Sequence, residues 1–490
     1  MSALDRAIVD PPRVAGVGER SPMAGLERRT VGFVDVLAQS VGATAPAAAA
    51  ATLPALIAVR SGHSLLVCLV LAWVLVAGVG GAVGQFTRRM AAPGSLYTFV
   101  TKGIGPSAGF VTAAGQAVGY AFVAMFGLVG AALSVQTFLA SVGAAASSAA
   151  VTGLGVVALG AVCFVVLRRG IRISARVTLV VEVVSVALLL VLLVTVLSRA
   201  GAEALAAPFR AGLPGPDGLV AGTAVAITAF VGFETAASLG REAERPFLTV
   251  PRTMRWTLIV VGFAYLLSAY TQEAGGVSFG LQLADNDVAL SALSDGAGVP
   301  LLGRLLDLGQ ATSFLACAIA SLTALARVVF SLGREGVLPR AVGFTDPLRS
   351  TPLGALAVVV PVTVALPLVL LAGGLSPWRA MSVLIAVSAV GYIVAYVLVA
   401  VAAPAFLHRI GELTRSALWG CGAVAVALTG VLGVYLAVVG GTDPLALSLV
   451  GVVVLGGGSG YLYVRMRQPE GFARMGLFDE PISDDLLGGR

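Results

Sequence analysis

Long apolar runs, separated by short arginine-bearing segments, decide what this chain can fold into. A helical membrane span needs about 20 consecutive, mostly apolar residues. Such runs occur at 31–59, 64–84, 108–139, 151–167 and 177–197 in the first half of the chain. They recur at 219–239, 256–270, 311–332, 355–372 and 381–403, and two more follow at 418–439 and 445–464. The 256–270 run is short and is expected to borrow from both flanks. With 58% hydrophobic and 11% charged residues, the chain is far from a soluble globule, in which about 25% are charged. The expected fold class is an all-α polytopic membrane protein with twelve transmembrane helices.

Charge placement tests that count. With the N-terminus inside, the inner loops hold seventeen basic residues and the outer loops five, namely Arg60, Arg199, Arg210, Arg304 and Arg379. Positive loops mark the cytoplasmic side, so both termini are expected to be cytoplasmic. The net charge of +6 follows from this placement and carries no nucleic-acid meaning. Acidic Glu273, Asp285, Asp287, Asp295 and Asp307 are expected to share one outer loop. Residues 1–30 lack an apolar core and a cleavage site, so no removable signal peptide is expected. They read as a cytoplasmic tail, and 465–490 as a second one, mixed in charge and disordered. Cys68, Cys163, Cys317 and Cys421 lie singly in apolar runs and read as small core residues. No metal site and no cofactor is expected. His63 and His408 lie far apart with no ligating partner nearby, which argues against a membrane enzyme.

Two spans look broken. In the first, "QSVGATAPAAAAA" places Gly42 and Pro46 near mid-membrane. Pro46 has no N–H and clashes with the preceding turn. In the sixth, Gly232 lies at matching depth and is followed by a carboxylate, Glu234. Interrupted spans at corresponding positions of two halves point to a substrate site on inverted repeats. A plain kink explains either break taken alone. For Glu234, a helix end reaching the headgroups is the simplest alternative to a site.

Four stretches carry a family resemblance: "MAAPGSLYTFVTKGIGPSAGF" (90–110), "RRGIRISARV" (168–177), "FVGFETAASLGREAERPFLTVPR" (230–252) and "ARVVFSLGREGVLPRAVG" (326–343). In this order, the chain resembles the amino acid–polyamine–organocation superfamily of secondary transporters. The resemblance implies a transporter core at 31–403, built from a five-plus-five inverted repeat (about 31–197 and 219–403) with broken spans 1 and 6 in the LeuT-like arrangement. Spans 11 and 12, at 418–464, lie outside it. It implies a small-molecule substrate between spans 1, 3, 6, 8 and 10, handled by alternating access. By position in the motifs, the substrate-facing candidates are Gly42, Ala43, Thr44, Ala45, Pro46 and Ala47 in span 1. Span 3 adds Gln116, Gly119 and Tyr120; span 6 adds Thr228, Phe230, Val231 and Gly232; span 8 adds Ser321. Ser388 and Tyr392 in span 10 are candidates too, although a helix–helix hydrogen bond is the readier explanation of each. The family commonly has a Gly-Ser-Gly stretch in span 1, where this chain reads Pro46, Ala47, Ala48. That departure leaves open how a substrate carboxylate is held and whether the substrate has one.

Ionisable residues in spans are costly and usually face the bundle interior. Arg327 lies near an inner end and is expected to snorkel to the interface. Glu234 is expected to gate or to take up a proton. Glu182 is less expected. Some proton-coupled relatives have a lysine in span 5 where others hold sodium; Ser185 reads as the matching position here, and Lys102 is the only lysine. A proton on Glu182 or Glu234, a cation held by Ser185 and Ser321 with span-1 carbonyls, and uncoupled exchange all stay open, with proton coupling favoured. The expected function is a permease of the cytoplasmic membrane for a neutral amino acid. A polyamine or organic-amine transporter is the near alternative, and a transporter-like sensor a further one. Arg, Ala, Val and Gly bias with almost no Lys points to a GC-rich genome and a bacterial source.

Overall fold

The computed structural model describes residues 26, 28–62, 64–143, 148–210, 212, 215–283 and 289–479. Most of the expected tail at 1–30, the end of the tail at 480–490, His63, Asp285 and Asp287 lie outside these. The described residues are almost entirely helical, and an isolated β-bridge joins Val31 to Ala243. Among the described residues, eleven helices are long and apolar enough to cross a membrane, so the chain is a polytopic membrane protein.

The first span is interrupted as its sequence suggests. Helix α1 (Phe33–Thr44) ends at Ala45, and α2 (Pro46–Ser61) begins on the proline. Ala45 is left-handed, with φ 42°. Proline at the first helical position loses nothing, because that N–H would have no partner in the helix. There follow α3 (Leu65–Thr87), α4 (Leu96–Ile104), α5 (Pro106–Ser141), α6 (Ala149–Arg168), α7 (Ile171–Arg199) and the short α8 (Ala202–Arg210). Helix α9 (Pro216–Phe230) is apolar but short, and stops before Gly232; one further turn, α10 (Thr235–Ser238), follows.

The second half continues with α11 (Pro246–Phe279), α12 (Ala289–Gly296), α13 (Pro300–Glu335), α14 (Leu353–Ala372), α15 (Pro377–Arg409), α16 (Arg415–Thr442), α17 (Pro444–Arg467) and α18 (Pro469–Ala473). The short 256–270 run is thus the middle of a 34-residue helix. Glu273 and Asp307 belong to helices α11 and α13 rather than to a loop. Charges at the helix ends lower local hydropathy without stopping the backbone ladder, so apolar runs mark helices shorter than they are.

Helix α5 packs along both α13 and α15, and the broken first span packs on α7, α11 and α13. The first span, α5, α13 and α15 are mostly buried, whereas α16 and α17 lean on α15 with most of their surface outward. All four cysteines are buried and free.

The described part of the expected C-terminal tail, 465–479, is packed on the bundle. Helix α17 extends to Arg467, and α18 turns the chain back onto the bundle. There Glu335 Oε1 accepts the Gly476 and Leu477 N–H groups at 2.8 and 2.9 Å. Asp479 meets Arg28 at 3.1 Å, Arg29 at 3.2 Å and Arg241 at 2.6 Å. Burial pushes the Arg241 guanidinium down, and the Asp479 carboxylate opposes that. Both described ends of the chain therefore meet on one face of the bundle.

Candidate functional site

The two helix breaks meet. Gly232, with φ 111°, lies so close to span 1 that a Cβ there would sit 2.6 Å from the Ala43 carbonyl carbon. The Tyr265 hydroxyl faces the carbonyls of Thr44 (2.9 Å) and Ala229 (2.8 Å), and so ties the first half of each broken helix to α11. Ser40 Oγ donates to the Phe233 carbonyl at 3.0 Å, and Gln39 Nε2 donates to the Ala320 carbonyl at 3.0 Å. Such unwound backbone is tolerated at membrane depth only where it is buried in protein or lines a cavity.

Each break carries a buried carboxylate. Glu234 is fully buried, so it does not point at headgroups. Its Oε2 accepts the Gly232 N–H at 3.1 Å and the Tyr396 hydroxyl at 2.9 Å, and its Oε1 has no partner. Glu182, 1% exposed, reaches from α7 to the start of α2. Its Oε1 accepts the Ala47 N–H and the Ser313 hydroxyl, each at 2.9 Å; its Oε2 has no partner. Ser313 Oγ in turn accepts the Ala48 N–H at 3.1 Å.

The span-3 candidates lie beside Glu234. Tyr120 is next to both Glu234 and Gln116, and its ring meets Tyr392 edge-on at 5.4 Å. Gln116 Oε1 accepts the Tyr97 N–H at 3.2 Å. Gly119 makes room for the Tyr392 ring, since a Cβ would lie 2.8 Å from it, and its carbonyl accepts Ser388 Oγ at 3.0 Å. Phe230 packs edge-on against Tyr265 at 5.3 Å. Val231 follows the end of α9 in extended backbone, with ψ 138°. Thr44 and Thr228 both donate to backbone of their own helices, Val41 and Val225.

Two expectations change. Arg327 does not snorkel. It is 4% exposed and binds Glu242 through both arms, at 2.9 and 2.7 Å. Glu242, in the chain after α10, is the partner that an isolated reading of α13 could not supply. Ser185 and Ser321 are not brought together. Ser185 Oγ donates to the Gly309 carbonyl at 3.0 Å, whereas Ser321 lies twelve residues further along α13, about 18 Å at the helical rise. It is Glu182, three residues before Ser185, that touches span 1.

Sequence reasoning missed Ser313, Tyr265 and Tyr396. Only Tyr396 left a signal, four residues after Tyr392 and so on the same helix face. A cavity of about 300 Å³ is lined in part by Thr323 and the Arg327–Glu242 pair. On another side of the core, a pocket of about 30 Å³ reaches Ala51, Thr52 and Phe314.

The model of a family described as amino acid permease matches residues 31–455. The chain is 24% identical over 284 residues to the low-affinity putrescine importer of Escherichia coli (strain K12), covering 55% of this chain and 59% of that one. It is 24% identical over 317 residues to a branched-chain amino acid permease of Bacillus subtilis (strain 168), covering 60% and 65%. It is 29% identical over 347 residues to an uncharacterized transporter of Mycobacterium bovis (strain ATCC BAA-935 / AF2122/97), covering 69% and 73%. The chain thus spans less than two thirds of the length of the first two relatives. A family match over nearly the whole chain is decisive: the chain belongs to the amino acid permeases of the amino acid–polyamine–organocation superfamily.

Proposed function

We propose that the chain is a secondary active transporter moving a small amine-bearing solute across the cytoplasmic membrane by alternating access. The observation that carries this is the contact of the two breaks, Gly232 against Ala43, with Glu182 and Glu234 buried beside them. Freed helix ends and buried carboxylates at one point recognise charged groups of a small solute. A neutral amino acid, the substrate expected from the sequence, and an organic amine both carry the ammonium such a site needs. The relatives, a putrescine importer and a branched-chain amino acid permease, span the same range.

Twelve crossings are part of this reading. The eleven long spans among the described residues with α9 make twelve, and the described ends meeting on one face support an even number. The core at 31–403 is then two inverted five-span halves with α16 and α17 outside, and both ends face the cytoplasm. The substrate-facing residues are those of the two breaks together with Gln116, Gly119 and Tyr120. Ser321, on buried α13, belongs to the same proposal. Glu234 is the group we assign to a coupling proton, since one of its oxygens is left free. Ser185, held by α13 backbone, supports the α7–α13 packing.

Solute counterflow in proteoliposomes, with amino acids, amines and nucleobases, tests the proposal. Exchange of amine-bearing solutes is expected. A well-folded protein that exchanges only nucleobases, or nothing, overturns it.

A further inference from the structure

The polar ends at the two breaks are unequally occupied. A helix N-terminus attracts anions through its free N–H groups and its dipole. At α2 those groups are already used. Pro46 has no N–H, Ala47 donates to Glu182, Ala48 donates to Ser313, and Ala49 donates to the Ala45 carbonyl at 2.9 Å. Ser313 also donates to the Glu182 oxygen that Ala47 holds. The chain thus supplies its own carboxylate where a substrate carboxylate would go. An entering anion would have to displace Glu182 and then sit beside its charge, in a place where charges are weakly screened.

The other break is open to the opposite charge. Glu234 Oε1 and the Tyr392 hydroxyl are buried and accept no hydrogen bond, and the buried Tyr120 hydroxyl lies beside Glu234. The rings of Tyr120, Tyr392 and Tyr396 follow one another at 5.4 and 5.9 Å between centroids. A free carboxylate oxygen, phenol oxygens that can accept, and aromatic faces together suit an ammonium group.

We propose that Glu182 is a specificity-determining residue: it fills the anion-binding end of the broken first span, so the site takes an organic amine that carries no carboxylate. The ammonium meets Glu234 and the tyrosines. The proposal rests on the transport reading above and narrows its substrate class.

Matched pairs test it, because each differs only in the α-carboxylate: isopentylamine against leucine, isobutylamine against valine, and 1,4-diaminobutane against ornithine. Counterflow is measured with the full chain in proteoliposomes. The amine of at least one pair is expected to exchange about tenfold or more faster than its amino acid, because a buried group left badly paired discriminates strongly. Amino acids exchanged as well as or better than their amines overturn the inference while the transport reading stands. No exchange of any member by folded protein overturns both. Glu182→Ala, which frees the Ala47 N–H, is expected to erase most of the preference for the amine. Glu182→Gln keeps an acceptor for Ala47 and Ser313, so it guards against misfolding, and is expected to reduce the preference in part. An unchanged preference in both folded variants overturns the role of Glu182.

Discussion

Gly232 is held to its position by both its conformation and its neighbours. Its φ of 111° disfavours any side chain, and a Cβ would collide with the Ala43 backbone. Gly232→Ala is therefore expected to lose about 1–3 kcal/mol of stability and to lose exchange with it, read as a lower unfolding midpoint and a counterflow signal near background. The Arg327–Glu242 pair makes a second prediction at this scale. Both side chains are buried and joined through two hydrogen bonds. Arg327→Met leaves Glu242 unpaired and is expected to cost about 3–5 kcal/mol. Adding Glu242→Leu is expected to recover most of the loss in unfolding midpoint, since an apolar pair replaces an ion pair at little cost. Glu234 was visible in the sequence as a carboxylate after a glycine. Its tyrosine partner was not, because Tyr396 lies on a helix 162 residues away.

Among elements, the break in span 1 was legible because proline and glycine act locally. Pro46 cannot continue a helix from Thr44, and the chain turns at Ala45 to start again. The left-handed residue itself was not legible: it is an alanine, and alanine carries no signal for that conformation. Ala45→Gly is expected to keep the fold and to stabilise it by up to about 1 kcal/mol, since a left-handed L-residue costs about that much. Ala45→Val is expected to lower the unfolding midpoint, because a β-branched side chain fits this backbone poorly. A higher midpoint for the valine variant would contradict the strained turn. Helix α11 shows the opposite case. Its apolar middle was read correctly as a span, yet its ends carry Arg252, Arg255 and Glu273 and were assigned to loops.

For the whole molecule, the C-terminal segment is the main departure from expectation. Mixed charge in "RQPEGFARMGLFDEPISDDLLGGR" looks like a solvated tail, but Asp479 meets three arginines from the N-terminal segment and the chain after α10. Its N–H also donates to the Ala91 carbonyl at 2.8 Å, and Lys102 lies over the Phe478 ring at 5.2 Å. Asp479→Asn is expected to loosen this docking. Amide exchange at Gly476 and Leu477 should then speed up by roughly tenfold, because hydrogen bonds to charged groups contribute about 1.5–3 kcal/mol. Unchanged protection would mean that Glu335 alone holds the segment.

The sequence by itself determined that the chain is helical and membrane-spanning, where it breaks, and which family it joins. Those properties are set by hydropathy over about 20 residues, by proline and glycine acting within a turn, and by short contiguous motifs. Only the tertiary structure decided what each buried charge meets. Glu182 reaches α2 from 135 residues away, Arg327 finds Glu242 across 85, and Asp479 finds Arg28 across 451. Pairings of that range depend on how helices stack and on the register at which they cross. No local pattern encodes that register, so the carboxylate was in view and its partner was not.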